Sequence, residues 1–301
     1  MRFLAGAPAL LFLRNVPRPE STRWRRLAAR AGRSKTCPTE YPIVWRASLA
    51  LCGLAAFWLL AGTPVPGQTT KITSQASPDP ASASTKEKLT YAVEWRLIRA
   101  ATIVVEKQPH QTSLRLDSVG FVSSLFKIQD IYTVNYEDSL CATSSVMDAM
   151  EGERHHETRV TFDRTHNHAT FLERDLIQNI VVKETGTDIP SCVADTLGAF
   201  AKLRTMNLGI GQSVQVPVSD GRRSAPVKAT ALERETIKTA AGTYKTIRYA
   251  ADVLNGVIYS RKGEVFLWLT DDERRLPVQI RLRTNFPIST VTLSLEKEEH
   301  L

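Results

Sequence analysis

From Leu89 onward, large apolar side chains alternate with polar ones. Leu89, Tyr91, Val93, Trp95 and Leu97 alternate with Thr90, Ala92, Glu94 and Arg96, the period-two signature of a half-buried strand. Residues 101–106, 112–119 and 131–136 repeat that pattern, and 123–128 predicts a short helical turn between two of them. A long hairpin follows. Thr158, Val160 and Phe162 share one face with Ala169 and Phe171, while Glu157, Arg159, Thr161 and His168 take the other. A turn at Arg164-Thr165 would set Asp163 opposite His166 and Thr161 opposite His168. One apolar and one wet face predict an antiparallel sheet covered on one side. Residues 176–183 supply a further strand.

One segment breaks the alternation. Asp188-Ile-Pro-Ser-Cys-Val predicts a helix start, with Pro190 in the first turn and Asp188 or Ser191 as the cap. Val193, Leu197, Phe200 and Ala201 then recur at helical spacing, giving a helix over about 190–204 that ends near Asn207-Leu-Gly209. Strands resume at 213–218 and turn at Asp220-Gly221. Further strands are expected at 228–238, 243–251, 257–260, 264–270, 278–284 and 290–296. A dozen or so short strands and one packed helix describe a mainly β domain, a large curved antiparallel sheet or partly open β-barrel.

The stretch before Leu89 reads differently. Arg46 precedes an uncharged apolar run over 47–60, and Ala61-Gly-Thr-Pro-Val-Pro-Gly-Gln68 follows. A positive residue, an apolar run and a small-residue exit form a secretory signal. The run is shorter than the roughly 20 residues that span a bilayer. Cleavage before Gln68 is therefore expected, with an uncleaved membrane anchor over 47–63 as the alternative. Residues 68–86, rich in Ser, Thr, Ala and Pro, predict a disordered linker. The expected organisation is a basic leader over 1–46, a signal or anchor over 47–67, the linker, and a β-rich domain over 87–301. No Met follows Met1 before the apolar run, so translation is expected to begin at Val44 through an alternative start codon. The protein should be exported to the periplasm or cell envelope.

Charge supports this division. The formal net charge is +8, and the first 46 residues hold ten Lys and Arg against two Glu, which accounts for all of it. The neutral remainder has no footprint for a nucleic-acid backbone. Of four cysteines, Cys37 and Cys52 fall before the linker, leaving Cys141 and Cys192 as a candidate disulfide in an oxidising compartment.

Four segments carry a resemblance to a known family. They are Leu89-Thr-Tyr-Ala-Val-Glu-Trp95, Asp195-Thr-Leu-Gly-Ala-Phe-Ala-Lys-Leu-Arg204, Gly242-Thr-Tyr-Lys-Thr-Ile247 and Phe266-Leu-Trp-Leu-Thr-Asp-Asp-Glu-Arg-Arg-Leu-Pro-Val-Gln-Ile280. From about Leu89 onward the chain resembles the bacterial family of domain of unknown function 3108. Arg99-Ala100 stands where family members usually place a glycine, which leaves the tightness of the first turn open. The resemblance implies a β-rich envelope protein and supplies no catalytic residues. Its architecture looks similar to curved-sheet lipoprotein carriers of the periplasm.

Candidate chemistry is sparse. His155-His156-Glu157 and His166-Asn-His168 lack the spacing of a structural zinc site and read as a wet strand face. Asp271-Asp272-Glu273 sits in a turn beside Arg274-Arg275, where solvent and ion pairing explain it better than acid–base chemistry. No nucleophile elbow, phosphate loop or dinucleotide fingerprint occurs, and no catalytic residue, metal or cofactor is assigned. What remains is an apolar lining of Tyr91, Trp95, Phe162, Phe171, Phe200, Phe266 and Trp268. An incompletely filled concavity of that kind would hold a lipid or other hydrophobic ligand. The expected function is thus a non-enzymatic envelope module that carries such a ligand. The alternative is a scaffolding protein pairing through a sheet edge, and a hydrolase of envelope polymers ranks third.

Overall fold

The computed structural model describes residues 86–254, 262–284 and 290–301. The leader, the apolar run, the linker before Lys86 and the strand expected at 257–260 lie outside the described residues.

Strands β1 (Glu87–Trp95), β2 (Ile98–Gln108) and β3 (Gln111–Ser118) lead through helix α1 (Gly120–Leu125) to β4 (Ile128–Tyr136). The meander continues with β5 (Ala142–Glu151), β6 (Arg154–Asp163), β7 (His168–Asp175) and β8 (Ile180–Asp188). After helix α2 (Thr196–Thr205) come β9 (Ser213–Ser219), β10 (Ser224–Thr239), β11 (Gly242–Ala251), β12 (Gly263–Thr270), β13 (Pro277–Thr284) and β14 (Thr290–His300). All fourteen strands form one antiparallel sheet in the order β8-β7-β6-β5-β4-β3-β2-β1-β14-β13-β12-β11-β10-β9. The seam between the two meanders is β1 against β14, where Glu87 faces His300 and Trp95 faces Val291. The sheet is not closed into a barrel: β8 and β9 are its two ends.

Register defines the faces. Tyr91 lies beside Ile103 on β2 and Leu295 on β14, and Val160 lies beside Phe171; all five side chains are buried. This inner face turns back on itself. A Cβ at Gly221, in the β9–β10 turn, would sit 2.6 Å from Val160 on β6. Only glycine fits there, and its φ of +81° is also one that favours glycine. Arg222 from the same turn stacks 5.0 Å over the Phe171 ring.

Four expectations need correction. The helix begins at Thr196, not near Pro190, because the preceding residues are drawn into backbone pairing and Asp195 supplies the cap. The β6–β7 turn is longer by two residues: Asp163 faces His168 and Thr161 faces Thr170. Its span, Arg164 to Asn167, is held by the Asp163 carboxylate accepting from the His166 N–H, with Asn167 left-handed at φ 51°. Residues 176–179 form a turn rather than strand, since the Asp175 carboxylate accepts from the backbone of Ile177 and Gln178. Strand β5 was not anticipated. The first turn is tight despite lacking glycine, with Arg96 and Leu97 both at positive φ.

Candidate functional site

Cys141 and Cys192 form a disulfide with Cα atoms 5.1 Å apart. It fastens a strap, residues 189–195, that spans two parts of the sheet. The Ala142 N–H on β5 donates to the Val193 carbonyl at 2.8 Å. Ala194 exchanges backbone bonds of 2.9 Å with β9, donating to Pro217 and accepting from Ser219. Asp195 then starts α2. Its buried carboxylate accepts from Tyr132 and Tyr136 hydroxyls at 2.9 and 3.0 Å and from the backbone of Leu197 and Gly198 at 3.0 and 2.8 Å. Burial pushes this carboxyl above the usual range, against the pull of those four donors.

The other end of α2 is pinned as well. Arg204 makes a two-pronged ion pair with Glu87 at 2.7 and 3.0 Å and donates to the Arg275 carbonyl at 3.0 Å. Burial would raise the Glu87 carboxyl, but Arg204 holds it below its ordinary value. Between α2 and β9–β11, Phe200, Leu203, Val216 and Val227 enclose a void of about 30 Å³. A second, of about 10 Å³, lies between Tyr132, Val160 and Asp220. Both are far smaller than the pockets that hold small-molecule ligands.

The expected ligand-face residues separate. Tyr91, Phe162 and Phe171 are buried on the inner face. Trp95 is half-buried at one end of that face, and Phe200 on α2 is half-buried against the core. Phe266 and Trp268 point the other way, since their neighbours Val265 and Leu267 occupy the inner face of β12. Arg281 lies 5.1 Å over Trp268, and Arg248 and Arg283 lie 5.5 and 5.6 Å from Phe266. The Trp268 indole donates to Glu235 at 3.0 Å. An aromatic was expected to face the core; here cationic side chains bury it instead.

The clustered histidines each meet a carboxylate, and His156 also lies 3.7 Å from Asp175. His155 meets Asp148 at 2.7 Å, His156 meets Glu173 at 3.2 Å, His166 meets Asp163 at 2.6 Å and His168 meets Asp188 at 3.3 Å. Among the described residues no group of three His, Cys, Asp or Glu is arranged to hold a metal. Asp271 pairs with Arg234, and Asp272 accepts from Thr270 and from the backbone of Arg274 and Arg275. That cluster builds a turn.

Pairing through a sheet edge was the sequence's alternative reading, without a strand to place it on. Strand β8 pairs with β7 alone among the described residues. Ile180, Val181 and Val182 at its start are each about half exposed. At the other end of the sheet, β9 has Pro217 opposite Pro226 and receives the strap at Ala194. The apolar triplet was visible in the sequence, but its position at an edge depends on strand order.

A family model described as protein of unknown function (DUF3108) matches residues 90–296. No curated protein matches the chain. Among solved structures, a beta-barrel-like protein of domain of unknown function DUF1849 from Brucella abortus is similar at 9% identity and TM-score 0.48, covering 72% of this chain and 98% of its own. A DUF1089 family protein from Pseudomonas aeruginosa follows at 14% identity and TM-score 0.33, with coverage of 69% and 95%. A presumptive lipoprotein from Parabacteroides distasonis is similar at 9% identity and TM-score 0.28, with coverage of 72% and 96%.

Proposed function

The chain belongs to the DUF3108 family of proteins of unknown function, and from that premise we propose that it is a non-enzymatic, exported module of the cell envelope that captures an extended segment of another envelope chain beside β8. The observation that carries this reading is the β8 edge, Ile180–Asp188, whose outer side no described strand pairs, on a sheet whose inner face is occupied by its own side chains. Backbone groups along such an edge supply affinity for an incoming strand, and alternate side chains supply selectivity. The fitting partner is a segment with β-branched residues opposite Ile180–Val182 and charges complementary to Lys183 and Glu184. Export is supported by the signal-like pattern over 47–67 and by the disulfide, which suits an oxidising compartment. A carried acyl chain has less support, because the voids beside α2 and beside Tyr132, among the described residues, measure only about 30 and 10 Å³.

Selection of a random peptide library on the full chain tests the proposal. Enriched peptides should alternate apolar and polar residues and lose binding when Val181→Lys and Val182→Lys are combined. No enrichment, or binding indifferent to that pair, would sink the reading.

A further inference from the structure

Alternation of strand direction sets the turns at two opposite ends of the sheet. The β1–β2 turn, α1, the β5–β6 turn and the β7–β8 turn share one end. Thirteen large hydrophobic residues are exposed among the described residues, and ten of them lie in these turns or within three residues of them. They include Leu97, which is 93% exposed, with Ile98, Phe121, Leu125, Met150 and Ile177. The opposite end carries two, Ile210 and Leu301. A concentration this one-sided is not the scatter expected of a soluble surface.

The β1–β2 turn sharpens the point. A two-residue hairpin turn of this kind prefers Asn-Gly, yet Arg96 and Leu97 hold φ of 51° and 68°. Backbone strain and exposure of a bulky aliphatic side chain coincide at one residue. Neither helps the isolated fold, and strain of this kind gathers at functional positions.

We infer that this apolar rim seats the domain on the surface of a lipid bilayer carrying anionic headgroups. The tips are separate side chains projecting from successive turns, which suits shallow insertion among acyl chains. Exposed Arg96, Lys127, Arg154 and Arg174 are interleaved with them, against exposed Glu94 and Glu153. That balance complements anionic headgroups while the aliphatic tips enter the interface. No described helix is long and apolar enough to cross a membrane. At the opposite end, where the described chain enters β1, Leu301 donates to the Lys86 carbonyl at 2.9 Å. Seven of the ten, Leu97, Ile98, Phe121, Leu125, Met150, Leu176 and Ile177, lie outside β8, so this inference does not rest on strand capture there.

A benzophenone amino acid placed singly at Leu97, Phe121 or Ile177 of the full chain in bacterial cells tests it, with Ile210 as the opposite-end control. Irradiation should yield adducts with several phospholipid species, several-fold more than at Ile210, detected by mass spectrometry. Adducts mainly with protein, adducts with one lipid species alone, or yields equal to Ile210 would each overturn the inference.

Discussion

The two ends of the sheet solve the same problem differently. Strand β9 has a proline that cannot donate, and Ala194 pairs with its outer side under the disulfide-tethered strap. Strand β8 has no such cover among the described residues. It carries the exposed charges Lys183, Glu184 and Asp188 and a bulge opposite Glu173 and Arg174, devices that discourage indiscriminate pairing without blocking it. The contrast separates a structural edge from an available one. One end was closed by covalent and backbone bonds, so openness at the other is a property of that strand alone.

Removing the strap's tether should have the largest effect on this contrast. Combining Cys141→Ser with Cys192→Ser opens a link across 51 residues and should cost about 4 kcal/mol, read from urea unfolding. Hydrogen exchange at Ala194 and Ser219 should quicken, making β9 resemble β8. An unchanged midpoint would mean the strap holds without its disulfide. Next comes Asp195→Ala, which removes the helix cap and leaves the Tyr132 and Tyr136 hydroxyls without their acceptor. The expected loss is about 3 kcal/mol, only partly recovered in Asp195→Asn, whose amide keeps one acceptor oxygen.

Acid should loosen the other end of α2. Glu87 is held below its ordinary value of 4.5 in the folded state. Its pairing with Arg204 therefore stabilises fully above pH 4.5 and fades as pH falls through the lower folded value. Glu87→Gln should cost about 2 kcal/mol near neutrality, and its urea midpoint should converge with that of the unaltered chain in strong acid. Parallel curves at all pH values would remove the pair from this role. The smallest effect belongs to the open edge itself: Val181→Lys with Val182→Lys should change stability by no more than about 0.5 kcal/mol. A larger loss would show that these side chains are held by the fold and that β8 is less free than it looks.

Legibility followed burial. Strands such as β1, β6 and β7 alternate because one face is buried, and their inward residues could be read directly. Strand β5 escaped because its inner positions include Ser145 and Ala149, while Val146 and Met150 lie on the outer face. In β12, Val265 to Leu269 is apolar throughout, so period two gives no indication that Phe266 and Trp268 face away. Pro190 imitated a helix start, whereas Asp195 was recognisable as a cap only once its tyrosine partners were in place. The disulfide was readable from cysteine count. Edge and rim were not, because both arise from strand order and from which turns share an end.

The β1–β14 seam has a consequence for how this molecule comes to exist. Its partners are separated by about two hundred positions, so the joint at the middle of the sheet cannot knit until the carboxyl-terminal strand has been delivered. Long-range closure of this kind is slow. Until then two meanders would each show a raw flank, and a chaperone that shields β1 while the later strands arrive would raise the yield. Clipping residues 290–301 should therefore split the sheet at its centre instead of trimming its border.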